Sequence, residues 1–202
     1  MADHAMPHAA VHDPNIGTTG LDHRKLGMWI FLGSDCMFFG SLIGTYLAYK
    51  GKSLSGPTPY EVFNIPLTSY SAALLLASSL TMVIALTRLQ EHRVKAAAGW
   101  LLATAAMGLH FVLNQVYEFW SFHVHEGLTL STSLFGSSFY VLTGFHGAHV
   151  TGGVIWLSIL VVLALRRKID ARDYTKVEIA GLYWHFVDIV WIAIFTIIYL
   201  IP

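Results

Sequence analysis

Five long apolar segments alternate with short polar connections along this chain. Each segment has about 20 residues or more, which is the length that an α-helix needs to cross the hydrocarbon core of a bilayer. The connections are rich in Pro, Gly, Ser and charged side chains, as in "KGKSLSGPTPYEVFNIP" at 50–66. The pattern predicts an all-α polytopic membrane protein with a bundle of five transmembrane helices. The approximate limits of the predicted helices are residues 26–49, 67–88, 96–120, 135–165 and 178–201.

The same pattern divides the chain into two parts. Residues 26–202 form the predicted five-helix transmembrane domain, whereas residues 1–25 lack an apolar segment and are expected to be a disordered cytoplasmic tail without a signal peptide. Three histidines in this tail, at positions 4, 8 and 12, would make a weak metal-binding face on a helix. Because Pro7 interrupts such a helix, the disordered tail is the favoured interpretation.

Composition supports a membrane location and excludes other classes. Hydrophobic residues make up 55% of the 202 residues and charged residues only 12%, whereas a soluble domain carries about a quarter charged residues. The mean hydropathy is +0.58. The formal net charge is zero, so nothing points to a nucleic-acid partner. The single cysteine, Cys36, excludes an intramolecular disulfide.

The distribution of basic residues predicts the orientation of the helices. Two basic residues, Lys50 and Lys52, lie on one side of the predicted bundle, and ten lie on the other. Since basic residues concentrate on the cytoplasmic side of a membrane, the N-terminus is expected in the cytoplasm and the C-terminus outside. The ten are Arg24, Lys25, Arg88, Arg93, Lys95, Arg166, Arg167, Lys168, Arg172 and Lys176.

Several polar side chains interrupt the apolar segments. A charged residue at the centre of a membrane helix costs about 2.5–3.5 kcal/mol on insertion scales, so such residues are expected to face neighbouring helices or a partner and not lipid. They recur at helical spacing, which predicts a buried polar network or a proton-handling site. The candidates are Asp35, His110, Asn114, Glu118, His146, His149, His185 and Asp188.

Small residues at four-residue spacing mark the predicted packing faces. Membrane helices approach closely where Gly and Ala recur in this way. On the first helix these are Gly40, Gly44 and Ala48, and on the fourth they are Gly144, Ala148 and Gly152.

Two interpretations of the polar residues remain open. His110, His146, His149 and His185 could hold two haems if they lay in facing pairs. The favoured interpretation is that each imidazole hydrogen-bonds between helices and that the chain holds no metal of its own. Asp35 and Asp188 are expected at similar depth, either as proton-handling groups or as neutral acids in helix contacts.

Four motifs resemble subunit III of the haem-copper oxidases. "GSSFYVLTGFHGAHVTGG" at 136–153 and "YWHFVDIVWIAIFTIIYL" at 183–200 look like the two hallmark helices of that family. "SDCMFF" at 34–39 and "LNQVYEFW" at 113–120 resemble two further shared helices. The resemblance covers residues 24–202, and the five-helix form is similar to bacterial members, whereas mitochondrial members have seven helices.

The resemblance implies a bacterial inner-membrane subunit of a proton-pumping terminal oxidase in aerobic respiration. Such a subunit stabilises the catalytic subunit I, binds phospholipid in a cleft and supports proton uptake, while haem and copper reside in partner subunits. It also implies association with the other oxidase subunits, and a larger respiratory supercomplex is an open alternative.

The electron donor and the type of oxidase are not fixed by these motifs. "GFHG" resembles the cytochrome c branch, which is favoured, whereas the "SDC" that contains Asp35 resembles quinol oxidases. An accessory subunit of a nitric oxide reductase is a further alternative. A dihaem b-type electron carrier is the alternative from a different functional class.

Overall fold

Five long helices account for most of the structure, a computed structural model that describes residues 22–52, 65–125, 127–129 and 133–201. All five are long and apolar enough to cross a membrane. Residues 1–21 of the expected tail (1–25), including His4, His8 and His12, lie outside the described residues, whereas residues 22–25 form the cap and start of the first helix. The helices are α1 (His23–Tyr49), α2 (Ile65–Gln90), α3 (Val94–His125), α4 (Leu134–Leu165) and α5 (Tyr174–Phe195).

The predicted all-α fold with five membrane spans is confirmed, with small shifts at the helix ends. The largest is at α3, which continues to His125, five residues beyond the predicted limit. A 3₁₀ turn (Ala171–Asp173) precedes α5, and a π-helical turn (Thr196–Leu200) extends it. Local capping explains several of these ends. Asp22 accepts a hydrogen bond from the backbone N–H of Arg24, and Ser133 accepts one from Gly136.

Two helices end in Schellman motifs closed by residues other than glycine. After α2, His92 has a φ of 62°, and after α4, Arg167 has a φ of 54°. The backbone N–H of Arg93 donates to the carbonyl of Arg88, and that of Lys168 donates to the carbonyl of Leu163. A left-handed residue at this position is usually glycine, because a Cβ is disfavoured there.

The helices differ sharply in how deeply they are enclosed. Helix α2 packs against α3, α3 packs against α4, and α5 lies against α1, α2 and α4. Within the most apolar stretch of each helix, 56% of the residues of α5 are buried but only 11% of those of α1. Helix α5 is therefore the interior helix of the chain, and α1 is its most exposed one.

The predicted packing stripes of small residues are wrong for contacts within this chain. A Cβ added at Gly40, Gly44 or Gly144 would meet no atom within 4 Å, and one at Gly152 would reach only the hydroxyl of Tyr183 at 3.8 Å. The two alanines of the stripes, Ala48 and Ala148, are exposed.

Other glycines make the close approaches, because the bulk of Trp184 requires space. Trp184 on α5 lies against Gly108 of α3 and Gly153 of α4, where an added Cβ would meet its ring. Gly147 makes similar room for the side chain of Gln115. Trp184 is 1% exposed, and its indole N–H donates to the hydroxyl of Ser78 at 2.8 Å. Three helices thus close around one tryptophan.

Candidate functional site

Asp188 and His185 on α5 meet through Ser79 of α2. The Ser79 hydroxyl lies 2.9 Å from His185 Nδ1 and donates a short hydrogen bond to Asp188 Oδ2. A serine hydroxyl has one hydrogen to donate. When Ser79 donates it to Asp188, His185 must donate from Nδ1, so the three groups share an ordered set of protons. We call Asp188, Ser79 and His185 the inner cluster.

Asp188 is the buried member of the inner cluster, whereas Ser79 and His185 are half-buried. Asp188 is 3% exposed, and its Oδ1 has no hydrogen-bond partner among the described residues. Next to the cluster, a cavity of about 110 Å³ is lined by His185 and Glu178, among others. Glu178 lies near the start of α5, 2.8 Å from Lys25 Nζ of α1. The rest of the lining is apolar and comes from Met82, Val83, Leu86, Gly181 and Leu182.

Asp35 of α1 pairs with His149 of α4. His149 Nδ1 lies 2.8 Å from the carbonyl oxygen of Phe145, which can only accept, so this nitrogen carries a hydrogen. His149 Nε2 lies 3.5 Å from Asp35 Oδ2. This contact is longer than an ordinary hydrogen bond between a nitrogen and an oxygen. We call Asp35 and His149 the outer pair.

The outer pair is half-buried, and Asp35 Oδ2 itself is buried and has no hydrogen-bond partner among the described residues. The side chains of His149 and Asp35 are 20% and 13% exposed. Tyr183 of α5 donates to the backbone carbonyl of His149 at 2.9 Å, which fixes α4 against α5 at this depth. Phe39 packs edge-on against the imidazole, with 5.0 Å between ring centroids.

Glu118 lies in a third polar group near the opposite end of the bundle. Its carboxylate accepts from Thr68 of α2 at 2.7 Å and from Tyr199 at 3.4 Å, so it joins three segments. One turn earlier on α3, Asn114 donates to the hydroxyl of Ser71 at 2.9 Å. The stripe of Asn114 and Glu118 therefore faces α2.

His110 does not continue that stripe into the interior. It is exposed and contacts Tyr70 edge-on at 5.9 Å between ring centroids. Within the chain, His110 is therefore not part of a buried network: it lies at the exposed edge of the contact between α3 and α2, where Tyr70 of α2 is also exposed.

The four intramembrane histidines have four different environments. His146 is fully buried, with Nε2 lying 3.3 Å from the carbonyl of Val187 and the ring stacked on Trp191 at 4.8 Å. His149 faces Asp35, and His185 faces Ser79. Within the described ranges, no three His, Cys, Asp or Glu side chains converge as metal ligands would.

The sequence analysis missed the hydroxyl residues that complete these clusters. Ser79, Ser71 and Thr68 all lie on α2. The apolar length of this segment predicted a membrane helix, but its polar face was not predicted. The buried positions of α2 include Thr68, Ser71 and Ser78 at spacings of three and seven. Residues at these spacings lie on one face of an α-helix, so the sequence contained the information that predicts a polar face.

Residues 10–201 match the family model described as cytochrome c oxidase subunit III. The chain belongs to this family. The resemblance to subunit III of the haem-copper oxidases is thereby confirmed, and the chain is a multi-pass membrane protein.

Curated members of the subunit III family match along most of their length. Cytochrome c oxidase subunit 3 of Bacillus sp. (strain PS3) is 41% identical over 178 residues, which are 88% of this chain and 86% of that protein. Cytochrome c oxidase subunit 3 of Alkalihalophilus pseudofirmus is 38% identical and covers 93% and 91% of the two chains. Quinol oxidase subunit 3 of Bacillus subtilis is 40% identical over 87% and 85%.

Proposed function

We propose that this chain is the non-catalytic third subunit of a proton-pumping cytochrome c oxidase in a bacterial plasma membrane. Membership of the subunit III family carries this proposal. The chain stabilises the catalytic subunit and supports proton uptake, while haem and copper reside in the partner subunits. The individual pairing of His146, His149 and His185 within the fold supports a role without iron, because a bis-histidine haem needs facing pairs.

The exposed face of α1 is the proposed contact with the catalytic subunit. Gly40 and Gly44 leave a shallow open surface there, and large apolar side chains flank it, with Met37 80% exposed and Trp29 59% exposed. Small residues that are unused within the chain suit close approach by another helix. The outer pair lies behind this face, and the partial exposure of Asp35 and His149, at 13% and 20%, supports a role for Asp35 in proton exchange at the subunit boundary.

A second candidate is subunit III of a quinol oxidase. The quinol oxidase relative is 40% identical, against 41% for the cytochrome c oxidase relative, so overall similarity gives the two donors nearly equal support. The "GFHG" segment at 144–147 favours cytochrome c. A nitric oxide reductase accessory subunit is distinguished from both by the identity of the large subunit.

Purification in a gentle detergent tests the assignment. The chain should co-purify with an oxidase subunit I, with haem and copper in the complex and none in the separated chain. Reduction of the complex by cytochrome c but not by quinol should identify the donor. Stoichiometric iron in the separated chain would instead support the dihaem carrier, and a large subunit without copper would support the reductase.

We also propose that the N-terminus is cytoplasmic, on the basis of the ten basic residues at one end of the bundle. A reporter active only in the cytoplasm, fused after residue 202, should be silent. Activity of that fusion would reverse the orientation.

A further inference from the structure

Trp191 of α5 carries a buried hydrogen-bond donor that no other group of the protein accepts. Its side chain is 2% exposed, and its indole Nε1 has no hydrogen-bond partner among the described residues. Two rings hold the indole in place, with His146 stacked on it at 4.8 Å and Phe111 edge-on at 4.7 Å between ring centroids. A buried N–H group without a partner is costly, and such groups in proteins usually bond to another protein group or to ordered water.

A small cavity between α2, α3 and α5 lies against this tryptophan. About 10 Å³ of it is open to the centre of a water-sized sphere. This is close to the space that a single buried water molecule requires. Two of its lining residues are apolar, Leu67 and Phe111. The others carry polar atoms, and they are Thr68, Ser71, Asn114, Gln115, Glu118 and Trp191. The cavity is therefore small and polar, whereas the cavities that stay dry are apolar.

The polar side chains of this lining donate to one another or to the backbone. Thr68 donates to Glu118 at 2.7 Å, and Asn114 donates to the hydroxyl of Ser71 at 2.9 Å. Gln115 donates to a backbone carbonyl of α4 at 2.8 Å. A carboxylate has about four acceptor positions, so Glu118 can accept more than the two hydrogen bonds that it receives. The cavity thus lies between a carboxyl group that can accept further hydrogen bonds and an indole N–H that needs an acceptor.

We propose that this cavity binds one water molecule, which accepts a hydrogen bond from Trp191 Nε1 and donates one to the carboxylate of Glu118. The chemistry of the lining selects this ligand. Water both accepts and donates, and a buried water needs at least two such polar partners. A metal cation cannot accept a hydrogen bond from the indole, and an anion would face the carboxylate. The water joins α5 to α3 and fixes the indole that stacks on His146.

A high-resolution cryo-electron microscopy map of the full chain, purified with the subunits it retains, tests the position of the water. We expect one isolated peak at hydrogen-bond distance, about 2.5–3.2 Å, from both Trp191 Nε1 and an oxygen of Glu118. An empty cavity in a map that resolves other buried waters would overturn the proposal. A direct hydrogen bond from the indole to a protein group, or a peak with the coordination of a metal cation, would overturn it as well.

Ultraviolet resonance Raman spectra of the same preparation test the hydrogen bond of the indole in solution. The difference between wild type and Trp191→Phe isolates the signal of Trp191. The difference between wild type and Trp184→Phe is the matched control, because Trp184 donates directly to Ser78 at 2.8 Å. Both differences should show a hydrogen-bonded indole N–H. A free N–H at Trp191 beside a bonded one at Trp184 would contradict the proposal. The map needs no substitution, so it decides the question if either variant fails to assemble.

Discussion

Helices α1 and α5 each carry one acid within the membrane, and the two acids have opposite surroundings. Asp188 lies in the interior helix, is 3% exposed and connects α5 to α2 through Ser79. Asp35 lies on the most exposed helix, is half-buried, and has its Oδ2 3.5 Å from His149 Nε2 of α4. Both are about 20 Å from the basic ends of their helices at 1.5 Å per residue. Depth therefore does not set the role of such an acid, whereas its neighbours do.

The largest expected contrast between the two helices concerns their tryptophans. Trp184→Ala on α5 should lower the free energy of unfolding by about 3–5 kcal/mol, because it empties the space formed by Gly108 and Gly153 and removes the donor to Ser78. Trp29→Ala on α1 removes a side chain that is 59% exposed and should change little. Denaturation of the separated chain in mixed detergent micelles measures both. Equal losses of unfolding free energy in the two variants would contradict the distinction between the interior helix α5 and the exposed helix α1.

Asp188 should matter for stability where Asp35 does not. Asp188→Ala leaves the hydroxyl of Ser79 without its acceptor, at a cost of about 1–3 kcal/mol, and should lower the yield of intact complex. Asp35→Asn keeps a hydrogen-bonding group beside His149 and should assemble at wild-type yield. Size-exclusion chromatography of the solubilised complex compares the two. A wild-type yield from Asp188→Ala would show that the inner cluster is dispensable for assembly.

Two adjacent glycines of α4, Gly152 and Gly153, differ in the space available for a side chain. In Gly153→Ala, the new Cβ would lie 2.8 Å from Cζ3 of Trp184, so about 1–2 kcal/mol should be lost after the gain in helix propensity. In Gly152→Ala, the Cβ meets an ordinary contact at 3.8 Å, and stability should be unchanged or slightly higher. Denaturation in mixed detergent micelles measures the unfolding free energy of both variants. A larger loss of stability in Gly152→Ala than in Gly153→Ala would support the small-residue packing face that the sequence predicted.

The sequence was sufficient for the number of helices, because an apolar segment of about 20 residues has few alternatives to spanning a membrane. It was insufficient for the packing faces. The spacing of Gly144, Ala148 and Gly152 satisfies the small-residue rule, but the rule contains no information about which large side chain needs the space. Trp184 needs it at Gly153, one residue outside the predicted stripe.

The polar groups were recognisable one by one, but their partners were not. Asp35 and His149 lie on helices that are far apart in sequence, and periodicity within one helix cannot pair them. Ser79 was not predicted as a partner because serines in an apolar segment are inexpensive and common. His110 and Glu118 share a stripe by spacing, yet one is exposed and the other is 6% exposed. Their rotation relative to α2 is a tertiary property.

The central distinction is between Asp188, which connects helices, and Asp35, which is proposed to exchange protons. Its most direct test is the lifetime of the assembled Asp35→Asn oxidase during sustained turnover. The substitution retains size and hydrogen bonding but removes the titratable carboxyl of the outer pair. We expect normal assembly but faster inactivation than wild type, with the difference growing from about pH 6 to about pH 9, since the supply of protons becomes limiting as their concentration falls. A lifetime equal to that of wild type across this range would show that Asp35 only packs, and would contradict the proton-exchanging role of the outer pair.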